Sequence, residues 1–171
     1  MVAAIELYLD VDATRRVRTL WRALESDGIP SMGSLLAQKH RPHVSLAAAR
    51  TLAPAEVVAA LSGMRVAREM TLDLDFVGQF LGRVLWLGVV PTAELLEHHR
   101  RVHEGLVAGG VEVWDLYGPG RWVPHCTISM RVPNPKMGAA VRRCLEFLPI
   151  RATVVGASVT DHANGVAEPI S

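Results

Sequence analysis

Cysteine is scarce in this chain, with only Cys126 and Cys144 among 171 residues. Two cysteines are too few for a disulfide framework, and no C-x-x-C spacing indicates a metal or redox site. No apolar run approaches the roughly 20 residues that a membrane-spanning helix needs. The N-terminal residues also lack the cationic segment of a signal peptide. We therefore expect a cytoplasmic protein that does not enter a membrane, with both cysteines reduced and used for packing.

An excess of one charge is also missing, since 18 Lys and Arg residues are balanced by 17 Asp and Glu residues. A net charge of +1 does not attract a long anionic polymer, so we expect no DNA partner and favour small substrates. Lysine occurs only at Lys39 and Lys136, which leaves arginine, the better bidentate phosphate ligand, as the main cation. The length and the 50% hydrophobic content indicate one compact domain, which we expect to be monomeric.

Strands and helices alternate in an order that occurs twice, over about 3–80 and about 83–161. Each copy has a strand, a helix, a Gly/Pro loop, a strand opened by Pro-His, a second helix and a closing strand. A period of about 80 residues present in only two copies excludes a solenoid. We predict an α+β fold with one bilobal domain over 1–171, in which antiparallel or mixed sheets of two pseudo-symmetric α/β lobes flank a central cleft. Residues 162–171 are expected to be a frayed tail.

A Pro-His-x-(Ser/Thr) pattern opens one apolar strand in each half. Because strand side chains alternate, His43 shares a face with Ser45, and His125 shares a face with Thr127, whereas Cys126 points away. In-line displacement at phosphorus needs a base and an acid, and two imidazoles can supply both near neutral pH. The hydroxyls can donate to the non-bridging oxygens. One such motif is weak evidence, but a matched pair predicts phosphodiester chemistry and leaves open which histidine is the acid.

The sequences "PHVSL" and "PHCTI", with "VLWLGV" at 84–89, resemble the two-histidine phosphoesterase superfamily, in particular its bacterial 2′-5′ RNA ligase-like or RNA 2′,3′-cyclic phosphodiesterase branch. The resemblance implies hydrolysis of a 2′,3′-cyclic phosphate, on a nucleotide or short RNA end, to a 2′-phosphate without metal or cofactor. It makes His43 and His125 catalytic and Ser45 and Thr127 phosphate-binding. The alternatives are 2′-5′ RNA ligation, a cyclic phosphate on another metabolite, a non-catalytic nucleotide- or RNA-binding module, and a purely structural domain.

The loop before the second motif, "YGPGRWVP", offers further substrate contacts. Tyr117 and Trp122 can stack on a base, and Arg121 can contact a phosphate. The alternative is that Trp122 anchors the loop to the core.

Basic residues near the two motifs are further candidates for substrate binding. Lys39 and Arg41 precede the first motif and can contact a phosphate or remain a solvated rim. Arg131 lies at an even spacing from His125, and therefore on its face if the strand stays regular.

Two remaining features are interpreted as structural. His99 and His103 in "HHRRVH" are four residues apart on a helix, but no H-E-x-x-H pattern or third ligand accompanies them. We interpret the histidines of 98–103 as surface residues and expect no metal site. Asp12 is expected to cap the first helix.

Overall fold

The computed structural model of the protein describes residues 3–35, 40–162 and 164–171. The elements, in chain order, are β1 (Ala3–Leu9), α1 (Val11–Ser26), α2 (Met32–Leu35), β2 (His43–Ala49), α3 (Pro54–Ala60), β3 (Thr71–Phe80), β4 (Val84–Val89), α4 (Ala93–Ala108), β5 (His125–Ser129), α5 (Met137–Leu145), β6 (Ile150–Asp161) and β7 (Val166–Ile170). Two short 3-10 turns precede β5 and α5, at Asp115–Tyr117 and Asn134–Lys136 respectively.

The strands form one antiparallel sheet in the order β2-β1-β6-β3-β4-β5, with β7 paired to β6. The closing strands of the two sequence halves, β3 and β6, are neighbours in the middle of this order. The first part of β6 pairs with β3 and its later part pairs with β1. Each closing strand therefore pairs with the first strand of the other half, β6 with β1 and β3 with β4. The predicted α+β class with antiparallel strands is confirmed, while the domain boundaries stay a prediction.

Helix α1 shows how the chain turns from strand to helix beside the sheet. Its buried stripe follows helical spacing and comprises Ala13, Val17, Leu20, Trp21 and Leu24. The prediction that Asp12 caps this helix was wrong, because Asp10 occupies the N-cap and its carboxylate accepts from the amides of Asp12 and Ala13. The other oxygen of Asp10 accepts from the Thr153 amide at 2.6 Å, so one side chain caps α1 and joins it to β6.

The predicted frayed tail over 162–171 is also wrong. Strand β7 pairs antiparallel with β6, so these residues form a hairpin on the sheet. Asn164 donates from its side-chain amide to the Asp161 carboxylate at 2.7 Å, and Gly165 adopts a φ of 64°. An Asn-Gly pair between apolar segments is a strong hairpin signal because both residues tolerate the left-handed region. That signal was present in the sequence and was overlooked.

Both cysteines are buried free thiols, as predicted. Burial raises the pKa of each thiol, at Cys126 and at Cys144, to about 12. The thiolate is the nucleophilic form, so neither cysteine is poised for catalysis at neutral pH. In the part of the chain that the structure describes, no helix is both long and apolar enough to cross a membrane.

Candidate active site

The two motif strands meet although they lie at opposite ends of the strand order. Strand β2 contacts β5 directly, with no ladder between them among the described pairings. Trp122, in the loop before β5, donates from its indole nitrogen to the carbonyl of Ser45 at 3.0 Å. The sheet therefore curves until its two ends approach, and the first residue of each end strand is a motif histidine, His43 or His125.

Both motif histidines are held in the same way by the backbone. Nδ1 of His43 lies 2.8 Å from the carbonyl oxygen of Arg41, and Nδ1 of His125 lies 2.7 Å from that of Val123. A carbonyl only accepts, so Nδ1 carries the hydrogen in each ring. In a neutral ring the lone pair is then on Nε2, which is the nitrogen free to exchange a proton. The backbone thus fixes one tautomer at both positions.

The motif hydroxyls lie where the strand alternation predicts. Ser45 and Thr127 are half-buried two residues beyond their histidines, whereas Cys126 between His125 and Thr127 is completely buried. The 3-10 turn that contains Tyr117 contacts β2, and burial raises the pKa of the Tyr117 phenol. The structure therefore places Tyr117 beside the first motif.

A buried carboxylate, missed in the sequence analysis, faces His43. Glu6 lies opposite Ser45 in the β1–β2 register, and its Oε1 is 3.3 Å from Nε2 of His43. Burial alone would raise the pKa of Glu6, but the charges of His43 and His162 and a hydrogen bond from His162 lower it to about 2. Glu6 is therefore ionised at neutral pH. The sequence signal for this partner was an acidic residue within the apolar segment "AIELYL", whose other residues are almost all buried.

Two further histidines surround this carboxylate. Nε2 of His162 lies 2.7 Å from Oε1 of Glu6, and this hydrogen bond raises the pKa of His162. His40 is buried, and its ring centroid lies 5.1 Å from that of His43. Burial, followed by the charges of His43 and His162, lowers the pKa of His40 to about 4. His162 was missed because residues 162–171 were expected to form a frayed tail, and His40, in the loop before β2, belongs to no motif that singles it out.

His125 has a different, apolar environment. The rings of Phe80 and Trp86 lie 4.9 and 5.7 Å from its ring, centroid to centroid. Burial lowers the pKa of His125, and the charge of His43 lowers it further. Trp86 lies opposite Thr127 in the β4–β5 register, just as Glu6 lies opposite Ser45 in the β1–β2 register. It packs so closely over Gly78 that a Cβ there would collide with the indole.

Trp122 is buried, which favours the anchoring alternative over base stacking. It is 8% exposed and stacks on His99 with ring centroids 3.9 Å apart. The interpretation of the α4 histidines as surface residues was wrong for His98 and His99, which are both buried. Nε2 of His98 bonds to the Val66 carbonyl and Nε2 of His99 to that of Tyr117, so these rings join α4 to loops.

The basic candidates are less closely associated with the motifs. Arg41 is exposed, with its guanidinium carbon 4.3 Å from the centre of the Tyr8 ring. Arg121 is exposed on its loop. Arg131 is exposed beyond the end of β5, so the regular strand that would align it with His125 has already ended. Lys39 lies outside the described residues.

Comparison with known proteins agrees with this architecture. The model of the 2′-5′ RNA ligase superfamily matches residues 9–166. The fold is similar to that of Escherichia coli LigT in its apo form, with a TM-score of 0.64 and 18% identity over 99% of this chain and 94% of that chain. The 3′-AMP complex of E. coli LigT gives a TM-score of 0.64 and 19% identity with the same coverage. No curated protein matches the chain in sequence.

A structure described as a phosphoesterase is also similar, with a TM-score of 0.62 and 20% identity over 99% of this chain and 94% of that chain. At these identities the structural matches establish the fold alone. The antiparallel sheet with its paired histidine strands therefore defines a two-histidine phosphoesterase fold. The family model covers nearly the whole chain, and the protein belongs to the 2′-5′ RNA ligase superfamily.

Proposed function

We propose that the protein hydrolyses a terminal 2′,3′-cyclic phosphate to a 2′-phosphate by acid–base catalysis from His43 and His125, with no metal required. The observation that carries this proposal is the matched fixing of both imidazoles through Nδ1, which leaves Nε2 for proton transfer. Hydrolysis needs one proton removed from water and one delivered to the departing oxygen, and each transfer typically contributes 10²–10⁴-fold to the rate.

The unequal surroundings of the two histidines support separate roles. His125 has a lowered pKa and is neutral at pH 7, as a base must be. His43 has the ionised Glu6 carboxylate beside Nε2, which provides a counter-charge for an imidazolium. Water loses a proton to Nε2 of His125 as its oxygen bonds to phosphorus. The bond from phosphorus to the 3′ oxygen breaks, and that oxygen takes a proton from His43.

The two motif hydroxyls stabilise the negative charge that grows on the non-bridging oxygens. Ser45 and Thr127 each lie two residues after a motif histidine in the same strand, and therefore on the same face as that histidine. Donors placed where charge develops lower the barrier more than donors that bind the ground state equally well.

A cluster of arginines beside the first motif favours an RNA end over a free nucleotide. Arg15, Arg18 and Arg22 of α1, together with Arg41, line a surface depression of about 450 Å³. Arg41 is two residues from His43, so the depression begins next to the first motif. A net charge near zero concealed this local concentration of cations. Such a cluster suits the phosphates of nucleotides upstream of the cyclic end.

The test is turnover of the four 2′,3′-cyclic mononucleotides and of a short RNA with a 2′,3′-cyclic end, in EDTA, with separation of 2′- and 3′-phosphates. We expect 2′-phosphate products, and loss of activity in folded His43→Ala and His125→Ala proteins. His103→Ala, on α4 and outside both motifs, is the matched control and should remain active. Full activity in folded His125→Ala would refute the proposed mechanism.

Two other products would favour the alternative functions. Joining of a 5′-hydroxyl RNA to the cyclic end would indicate 2′-5′ ligation by the same residues. Binding of a 2′-nucleotide without turnover of any substrate would indicate a non-catalytic binding module.

A further inference from the structure

The cluster of Glu6, His43 and His162 at the first motif has the donor set of a transition-metal site. Oε1 of Glu6, Nε2 of His43 and Nε2 of His162 all lie within 4.8 Å of one another. These side chains are 3%, 12% and 24% exposed, so the donors are shielded but not completely buried. Two imidazole nitrogens and one carboxylate oxygen form a ligand set typical of Zn²⁺ with an open fourth position.

The outer hydrogen bonds of these donors also fit a metal site. Nδ1 of His43 donates to the Arg41 carbonyl, and the Thr160 hydroxyl donates to Oε2 of Glu6 at 3.2 Å. Metal-binding histidines almost always donate their second N–H in this way, and ligating carboxylates are hydrogen-bonded through their free oxygen.

An unsatisfied buried atom next to the cluster provides an independent observation. Nε2 of His40 is buried and has no hydrogen-bond partner within the described residues. Its ring centroid lies 5.1 Å from that of His43 and 5.0 Å from that of His162. A buried polar atom without a partner is unfavourable unless a ligand or water satisfies it. His40 is therefore placed to become a fourth ligand with a small side-chain movement.

We propose that Glu6, His43 and His162 form a binding site for a divalent transition-metal ion, represented best by Zn²⁺, and that the bound ion inhibits the phosphoesterase. Imidazole donors favour Zn²⁺ and its neighbours over Mg²⁺ and Ca²⁺, which require oxygen donors. The ion would take the lone pair of Nε2 of His43, the nitrogen that must carry the catalytic proton. This inhibitory consequence rests on the proposed function, whereas the binding site itself does not.

Binding is measured first, without reference to activity. The full chain is freed of metal with EDTA, exchanged into chelator-free buffer and titrated with ZnCl₂ by calorimetry, with Mg²⁺ as a competitor. We expect one Zn²⁺ per chain, no competition from Mg²⁺, and a rise in melting temperature on binding. His162→Ala should weaken the affinity at least ~10-fold, since even outer-shell changes typically cost that much. His103→Ala is the matched control and should bind as the wild type does.

A charge-removing variant and a spectroscopic probe complete the binding test. Glu6→Gln keeps the side-chain size, and it should lose Zn²⁺ binding while still unfolding cooperatively in EDTA. Co²⁺ bound to the wild-type protein should show the intense visible absorption of a four- or five-coordinate site, and His162→Ala should lose it. Absence of stoichiometric binding, or equal binding by wild type, Glu6→Gln and His162→Ala, would overturn the proposal.

The activity assay then separates this proposal from the proposed function. We expect Zn²⁺ to inhibit 2′,3′-cyclic phosphate hydrolysis over the concentration range of calorimetric binding, and EDTA to restore the rate. Stoichiometric binding at the cluster with no activity under any condition would leave the site standing and defeat the proposed function. Activity that Zn²⁺ does not change, although the cluster is occupied, would overturn the inhibitory role.

Discussion

Replacement of Trp122 distinguishes an anchoring residue from a base-stacking residue. The indole is 8% exposed, stacks on His99 and donates to the Ser45 carbonyl, so Trp122→Ala removes packing and a hydrogen bond together. Aromatic-to-alanine changes in a core cost about 3–5 kcal/mol of unfolding free energy. Trp122→Phe retains a ring but leaves the carbonyl unpaired, at a cost of about 1–3 kcal/mol. Each kcal/mol should lower the melting temperature by roughly 2–4 °C in a chain of this size.

The assay combines urea unfolding with kcat and KM for one cyclic substrate. If Trp122 is an anchor, Trp122→Phe should lower the free energy of unfolding and Trp122→Ala should lower it further. The value of kcat should also fall, because Ser45 is no longer held. Trp114→Ala is the control, since that side chain is 41% exposed and its loss should change the unfolding free energy by less than about 0.5 kcal/mol. If Trp122→Ala instead raised KM with unchanged stability and kcat, the anchoring argument would be refuted and base stacking would replace it.

Three other perturbations give distinct results. Phe80→Ser admits water to His125, and the lowered pKa of that imidazole should therefore rise towards about 6.5. Because His125 is the proposed base, the acid limb of the kcat/KM profile should move to higher pH. An unmoved limb would show that His125 is not the base. Arg18→Ala should lower the slope of log binding constant against log salt concentration for RNA by about 0.7. Turnover of cyclic mononucleotides should remain unchanged. Equal losses on both substrates would contradict an RNA path along α1. Asp10→Ala removes the N-cap of α1 and should lower the free energy of chemical unfolding by about 1–2 kcal/mol. The control Asp12→Ala should lower it by less than about 0.5 kcal/mol. Similar losses in the two variants would disprove the N-cap assignment.

The sequence was sufficient to predict the alternation of strands and helices and the strand faces of the motif residues. These follow from local rules, because hydrophobic periodicity and strand alternation act over a few residues. The exchange of closing strands between halves did not follow, since pairing of β6 with both β1 and β3 depends on contacts far apart in sequence. The same limit explains His99, whose helix position predicted exposure although its ring stacks on Trp122 from a distant loop.

The site was only partly predictable, for a related reason. The motif residues are recognisable because they are repeated, but Glu6 has no acidic counterpart in the second half, where Trp86 occupies the equivalent position. Its meaning depends on its position opposite Ser45 in the β1–β2 register and on a hydrogen bond from His162, more than 150 residues away. A single acidic residue in a buried strand was the only local sign, and it indicates a partner without identifying one.

The duplicated histidines illustrate how a symmetric motif can yield an asymmetric site. His43 and His125 have the same tautomer because the same backbone contact fixes both rings. Their difference comes from the neighbouring strands, where Glu6 and Trp86 occupy equivalent positions. Under the proposed mechanism, the Glu6 carboxylate is the counter-charge for the acid and the aromatic wall surrounds the base, so these two residues would distinguish the two roles. The same carboxylate brings His162 to the first motif, and it thereby creates a donor set that the second motif, with its aromatic neighbours, does not have.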